Sequence, residues 1–363
     1  MNKSWEYKKI GDVCTVERGG SPRPIDKFIT DDENGINWIK IGDTTDSMYI
    51  THTAQKIIPE GMKKSRYVKP GDFLLSNSMS FGRPYILQID GCIHDGWLVL
   101  RDDDELFDKR FLYYYLSSKT TYEKFKSMAV GGVVNNLNSE MVRKVEVPIP
   151  DKGEQSDVAN LMDRLSKVID NRKKELEYFD DLIKARFVEM FFDKGYPVLG
   201  WNDVFNTTTG KLDSNAMVED GEYPFFTCAK EVFRIDKYAF DQEALLLAGN
   251  NAAGKYDVKY YKGKFNAYQR TYVLGLKQNW SYRLFQYQLE DKLVYLQQQS
   301  LGGLTKYLTM KILGNLSFII PPMDKQIEFE QFVRQVDKSK VAVQKSLDET
   351  QKLFDSLMQE YFG

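Results

Sequence analysis

The chain has 363 residues, 42% hydrophobic and 28% charged, a composition that fits a globular protein with room for two or three domains. Its net charge is -2 and its pI about 5.9, so it lacks the basic balance of a protein that coats nucleic acid, although charge can still be segregated. Composition also excludes a membrane span, a secretory signal peptide in "MNKSWEYKKIGDV", and a disulfide or zinc framework, because Cys14, Cys92 and Cys228 are far apart; reduced thiols in a cytoplasmic protein are expected.

Residues 1–150 predict mixed strand and helix. "INWIKIGD" (36–43), "DFLLSNS" (72–78) and "GWLVLR" (96–101) have strand character, and "KRFLYYYLSSKTTYEKFKSM" (109–128) predicts a helix. Three stretches carry candidate nucleic-acid contacts. "GGSPRPIDKF" holds Arg23, and "KKSRYVKPGD" holds Lys63, Lys64 and Arg66. "SNSMSFGR" follows an apolar strand and offers Ser76, Asn77, Ser78 and Ser80, then Arg83 after a glycine. Small side chains let another surface approach, Ser and Asn donate and accept, and a base suits a phosphate or a guanine. A solvated turn is the alternative for this loop. His94 in "GCIHDGW" reads either as a base contact or as a hydrogen-bonded structural histidine.

After Pro150 the apolar period changes to steps of three and four. Val158, Leu161, Met162, Leu165, Val168, Ile169, Leu176, Phe179, Leu182, Ile183, Phe187 and Met190 mark one face of a long helix over 151–195. Asp151 and Glu154 have capping-box spacing at its start, and Gly195 and Pro197 are stop signals past its end.

A second block, 196–321, follows. "EALLLAG" (243–249) and "AYQRTYVLGL" (267–276) predict strands, and "SYRLFQYQLEDKLVYLQQQ" (281–299) a helix. "AGNNAAGK" sits where "SNSMSFGR" sat, with Asn250, Asn251 and Lys255. "KGKFNAYQRTY" adds Lys264, Asn266, Gln269 and Arg270 among aromatics, and Lys230 lies upstream. The stretch from Lys255 to Arg283 is basic, with Asp257 its single acid. A second long helix over 322–363 ends the chain.

The chain repeats itself. "GGVVNNLNSEMVRKVEVPIP" at 131 returns as "GGLTKYLTMKILGNLSFIIPP" at 302, an offset of 171 that then holds without a gap to the end. Leu137 meets Leu308, Gln155 meets Gln326, Leu176 meets Leu347, and Leu182 meets Leu353. Upstream the match is looser, with "IGDV" (10–13) and "WNDV" (201–204) offset by 191, so the second block is shorter by 20 residues. The Gly-Gly pairs at 131 and 302 predict tight turns. A long apolar seam cannot satisfy itself, so the two helices are expected to pair antiparallel, with Leu161, Leu165, Leu176 and Leu182 against Phe332, Val336, Leu347 and Leu353. The fold expected is α+β: two globular domains joined by an antiparallel coiled coil, with an internal pseudo-twofold repeat.

No P-loop, no metal-spaced Cys or His cluster and no Asn-Pro-Pro-aromatic motif of an amino-methyltransferase is evident. The pattern is that of a binding and scaffolding protein. The whole arrangement resembles the specificity subunits of type I restriction-modification systems. The resemblance rests on "NLNSEMVRKVEVPIPDKGEQ", its twin "YLTMKILGNLSFIIPPMDKQ", and "INWIKIGD", "PGDFLLSNSMSFGRP", "DGEYPFFTCA" and "GKFNAYQRTYVL". It implies that each variable block is a target-recognition domain reading one half of a bipartite, asymmetric site on double-stranded DNA. It implies that the coil sets the spacing of the half-sites and docks two adenine-methyltransferase subunits, which recruit motor-endonuclease subunits. S-adenosylmethionine, ATP and magnesium would then belong to those partners and no cofactor to this chain. The unequal block lengths depart from a symmetric pair. Two other readings stay open: a fused methyltransferase with a degenerate motif, and a coiled-coil adaptor that never touches DNA.

Overall fold

A computed structural model describes residues 5–77, 82–129, 136–252 and 254–363. The chain forms two compact units, one made of Met1–Lys173 with Lys345–Gly363 and the other of Lys174–Gln344. The unit boundaries fall inside two helices of 40 residues each, Lys152–Phe191 and Met323–Phe362, so each unit holds the start of one and the end of the other.

The helix ends follow from local chemistry. Asp151 Oδ1 accepts from the Glu154 N–H at 3.0 Å, satisfying one of the orphan donors of a first turn. The Glu154 carboxylate accepts the Trp5 indole N–H at 3.0 Å. Past Phe191 the backbone turns left-handed at Asp193 (φ 54°) and Gly195 (φ 71°).

Within the first unit, Val158, Ala159 and Met162 join one apolar cluster with Phe362, Phe111 and Leu112, against which Phe354, Leu357 and Met358 also pack. In the second unit, Phe329, Val333 and Val336 cluster with Ile183 and Phe191. Here the pairing direction is explicit: Asp180 binds Lys340 while Arg186 binds Glu328 at 2.7 Å, so one helix advances as the other retreats. The expected antiparallel coil is present, but its seam is not the predicted one. Leu182 is 46% exposed and Leu353 50% exposed; the next residue, Ile183, is buried at 6%, and its equivalent Phe354 is half-buried against the first unit's cluster. A helix of 3.6 residues per turn drifts about 20° per heptad. Leu161 and Phe332 are already only half-buried beside the buried Met162 and Val333, and three heptads on the same position has rotated out to solvent. Leu161, Leu165, Leu176, Phe332 and Leu347 are half-buried, and Val336 is buried.

Each unit's sheets carry the same frame. In the first, one sheet orders Ile29–Thr30, Gln55–Ile57, Ile36–Ile39, Gly91–Ile93 and Arg66–Val68; the other orders Thr15–Arg18, Trp97–Arg101, Phe73–Ser76, Pro84–Leu87 and Tyr49–Ile50. In the second, a single sheet orders Phe205–Thr209, Thr271–Leu276, Phe240–Ala248, Val258–Ala267, Tyr223–Phe226 and Phe233–Ile235. The difference has a simple origin. Residues 84–93 are two strands in the first unit, whereas their equivalents 258–267 are one continuous strand, which joins what the first unit keeps as two sheets. The extra length of the first block lies between Ile39 and Phe73, where it builds the edge strands Tyr49–Ile50 and Arg66–Val68.

Both expected single helices are broken. Lys109–Ser117 and Lys119–Ala129 are separated at Ser118, whose extended backbone ends one helix while its hydroxyl accepts from Thr121 N–H at 3.2 Å in the next. Tyr282–Asp291 and Leu293–Gln299 part at Lys292. Gly302 (φ 106°) turns as expected, since an added Cβ would meet Thr305 O at 2.1 Å; Gly303 has open space, and residues 131 and 132 lie outside the described residues.

The repeated glutamines explain how each globular body is fastened to its helix. Gln155 Oε1 accepts from Asp108 N–H at 2.7 Å, and its Nε2 donates to Pro150 O at 2.9 Å. Gln326 does the same with Ser281 N–H at 3.0 Å and Pro321 O at 2.8 Å. Asp108 and Ser281 are the N-caps of the Lys109–Ser117 and Tyr282–Asp291 helices, and both glutamines are 1% exposed. A buried amide with partners on both sides is a two-ended clamp.

Candidate nucleic-acid interface

In each unit a three-residue turn joins two strands: His94–Gly96 between Gly91–Ile93 and Trp97–Arg101, and Tyr268–Arg270 between Val258–Ala267 and Thr271–Leu276. The same backbone hydrogen bonds hold both. Trp97 N–H donates to His94 O at 3.2 Å, and Thr271 N–H to Tyr268 O at 2.8 Å. His94 N–H reaches Ile39 O at 3.3 Å, and Tyr268 N–H reaches Phe226 O at 2.9 Å. Asn77 N–H donates to Gly96 O at 2.9 Å, and Gly249 N–H to Arg270 O at 2.8 Å. Leu137 N–H then donates to Asn77 O at 3.0 Å, and Leu308 N–H to Gly249 O at 2.8 Å.

Glycines make this close approach possible. A Cβ on Gly19 would lie 2.2 Å from His94 O, and one on its repeat partner Gly210 would lie 1.8 Å from Ala267 O. A Cβ on Gly249 would lie 2.3 Å from Arg270 O. Such contacts with backbone force a shift. Gly249→Ala is therefore expected to destabilise the second unit by about 1–3 kcal/mol, in the range of overpacked sites, as measured by urea unfolding.

The frames match, but the side chains they present differ. In the first unit Asp95 stands at the apex. Its carboxylate accepts from Ser21 Oγ at 2.7 Å and pairs with Arg23 at 3.3 Å, and Arg23 is 81% exposed at its side chain. The Ser21 hydroxyl holds the Asp95 carboxyl below the usual carboxylate range. Beside the turn lies a cleft of about 670 Å³ lined by Arg23, Trp38, Lys40, Gln55 and His94. In the second unit Gln269 and Arg270 occupy the apex with exposed side chains. Their flanking cleft, about 470 Å³, is lined by Asn215, Met217, Thr227, Cys228, Asn250 and Tyr268, with no charged side chain.

The other sequence candidates distribute unevenly. Ser76, Asn77 and Asn266 are buried, at 1%, 2% and 5% exposure, and serve the fold. Ser76 Oγ accepts from Arg83 N–H at 3.1 Å, Asn77 Nδ2 donates to Asp95 O at 2.8 Å, and Asn266 Nδ2 donates to Lys237 O at 2.9 Å. A contact role for these three is corrected to a scaffold role, because a surface partner cannot reach them. His94 is half-buried, its side chain 20% exposed, and its ring is tied to the turn. Gly96 N–H donates to its Nδ1 at 2.6 Å, its ring sits beside Trp38 and Trp97, and burial pushes its pKa down, favouring the neutral ring. Ser78 and Ser80 lie outside the described residues.

Lys63, Lys64 and Arg66 are exposed; Lys64 stands over the Phe28 ring at 5.3 Å and Arg66 pairs with Glu17 at 3.2 Å. Arg83 follows a left-handed Gly82 (φ 79°), as Lys255 follows Gly254 (φ 67°). Its guanidinium is engaged by Thr45 O at 3.3 Å and Asp46 at 3.5 Å, away from the turn. Lys230 and Lys255 are exposed, Asn250 and Asn251 are half-buried opposite Tyr307 and Lys306, and Lys264 stands over Tyr238 at 4.7 Å. Three of the seven bases of the basic stretch pair with acids within the unit: Lys259 with Asp257 at 2.6 Å, Lys262 with Glu243 at 3.1 Å, and Arg283 with Asp337 at 3.8 Å. Sequence reasoning missed Asp95. The equivalence of the two turns, at an offset of 174 between Trp97 and Thr271, could have pointed to it.

Among the described residues no group of three or more His, Cys, Asp or Glu is placed to hold a metal ion, and no helix is long and apolar enough to cross a membrane. Cys14 and Cys92 are buried, and burial pushes the Cys14 thiol up to about 12.

A family model described as the type I restriction modification DNA specificity domain matches residues 2–178 and again residues 195–350. The chain belongs to this specificity family. Its relatives include the EcoDI specificity subunit of Escherichia coli, 36% identical over 149 residues, which are 39% of this chain and 32% of that protein. In that match the chain thus spans about a third of its relative's length. The MjaIX specificity subunit of Methanocaldococcus jannaschii is 23% identical over 406 aligned positions, covering 98% of this chain and 92% of that protein. Among solved structures, the S subunit of a type I restriction-modification system from M. genitalium matches with a TM-score of 0.62 at 16% identity, covering 100% of this chain and 97% of that one. A chain from a study of complex assembly and conformational transition in a type I system matches at 0.63 and 16%, covering 100% and 98%. Likeness at this identity speaks for the fold, and the doubled family match agrees with the repeat read in the sequence.

Proposed function

We propose that this specificity-family chain is the non-catalytic, DNA-reading subunit of a type I restriction-modification complex in the cytoplasm. Each unit reads one half of a bipartite, asymmetric site on double-stranded DNA. The observation that carries this reading is the pair of turns: one backbone frame, used twice, presenting unlike side chains. Two identical readers would suit a palindrome, as dimeric repressors do. Two readers that share a frame and differ at the apex suit two different half-sites.

In this reading the long helices dock two adenine-methyltransferase subunits and fix the spacing of the half-sites, and motor-endonuclease subunits join through them. S-adenosylmethionine, ATP and magnesium act in those partners. The chain's own near-neutral charge is acceptable because the partners add phosphate contacts, which supply most non-specific affinity. The test is to express the chain with its methyltransferase partner and map N6-methyladenine by single-molecule sequencing. A two-part, non-palindromic motif that vanishes without this chain is expected. Methylation independent of the chain, or stoichiometric S-adenosylmethionine binding by the chain alone, rejects the reading; the latter favours a fused methyltransferase.

A further inference from the structure

We infer that the turns His94–Gly96 and Tyr268–Arg270 are the two base-reading elements, with Asp95 contacting base edges in one half-site and Gln269 with Arg270 contacting them in the other. The inference rests on the DNA-reading function proposed above and assigns that function to particular side chains.

Three observations carry it. The first is location. Four matched backbone hydrogen bonds and the paired glycines Gly19 and Gly210 place the two turns identically within their own units, although the surrounding sequence has diverged. The second is access. Asn77 and His94 hold the first turn through Asp95 O and Gly96 N–H, the Asp95 side chain is 44% exposed, and Gln269 and Arg270 are exposed on the second turn. A three-residue turn fixed by backbone hydrogen bonds to neighbouring segments holds such groups more rigidly than a long loop does, as a reading element requires.

The third observation is chemistry. The Asp95 carboxylate only accepts, so it suits the exocyclic amino group of cytosine or adenine; Arg23, 3.3 Å away, adds donors on the same side. Gln269 offers both a donor and an acceptor, the pair an adenine edge presents in the major groove, and Arg270 suits guanine O6 and N7. The flanking clefts differ too: the first carries the charged groups Arg23, Asp26, Lys40 and Asp95, and the second, beside Tyr268, only neutral ones. The two half-sites should therefore differ in the bases they require at the turn-contacted positions.

The experiment is the methylation map of the assembled complex, made with wild-type chain and with Asp95→Asn, Gln269→Glu and Arg270→Ala. Asp95→Asn keeps shape and gains a donor. It is expected to relax or switch one position of one half-site, with a drop in discrimination of about 10- to 100-fold there. Gln269→Glu and Arg270→Ala are expected to change the opposite half-site alone. Unfolding curves are recorded for each variant. Should Asp95→Asn fail to assemble, Arg23→Ala reads the same side of the turn, and it too should alter only that half-site. Wild-type motifs from folded variants, or changes falling on the same half-site for both turns, overturn the inference while leaving the DNA-reading function standing. Absence of any two-part motif with the wild-type chain instead removes the function itself.

Discussion

Replacing Ile183 by Asp is expected to destabilise the second unit by at least 3–5 kcal/mol, whereas Leu182→Asp, one residue away, should change stability by no more than about 0.5 kcal/mol. The two leucine-like positions look equivalent in sequence and are not equivalent in the fold. Ile183 is 6% exposed and packs in the cluster of Phe329, Val333 and Phe191, where a carboxylate would replace apolar packing. Leu182 is 46% exposed, so a charge there stays in water. Urea unfolding of both variants checks the contrast, and Phe354→Asp against Leu353→Asp repeats it in the first unit. Equal losses for Ile183→Asp and Leu182→Asp would show that the seam runs through both.

Gln326→Leu is expected to cost about 2–6 kcal/mol. Leucine fills nearly the same volume, so the loss comes from the clamp and not from a cavity. It leaves Ser281 N–H and Pro321 O buried without the partners they have at 3.0 and 2.8 Å, and each orphaned group costs about 1–3 kcal/mol. Gln155→Leu should do the same to the first unit through Asp108 and Pro150. The two effects can be read separately. Trp201 and Trp280 report on the second unit, and Trp5, Trp38 and Trp97 on the first. Single-tryptophan versions of each variant should show that only the unit carrying the substitution unfolds early.

The large elements were legible because they repeat. Both long helices declared themselves by apolar spacing, and the gapless offset of 171 predicted that Gln155 and Gln326 would have one role. The register of the seam was less legible. A heptad count treats Leu161 and Leu182 as equivalent, while the real helix drifts between them. The breaks at Ser118 and Lys292 were hidden because apolar spacing continues across them. At the interface, composition drew attention to polar residues in small-residue loops. Composition cannot distinguish an asparagine that faces outward from one that ties down a turn, as Asn77 and Asn266 do. Asp95 was passed over for the converse reason: its importance lies in position on a turn of three residues, and a lone acid in a strand-end sequence carries no pattern of its own.

The division of the helices between the units governs the order in which the chain can be completed on the ribosome. The second unit, Lys174–Gln344, is one continuous stretch and can close as soon as it has emerged. The first unit also contains Lys345–Gly363, so Phe354, Leu357, Met358 and Phe362 reach its core only after the whole second unit has been made. Until then Phe111, Leu112, Val158 and Met162 lack part of their cover, and the earliest-made domain is the last to become stable. A nascent chain not yet made past Lys345 thus exposes apolar surface of the first unit, which makes damage to the helical turns of 345–363 a lesion of that unit and a target for chaperones and proteases.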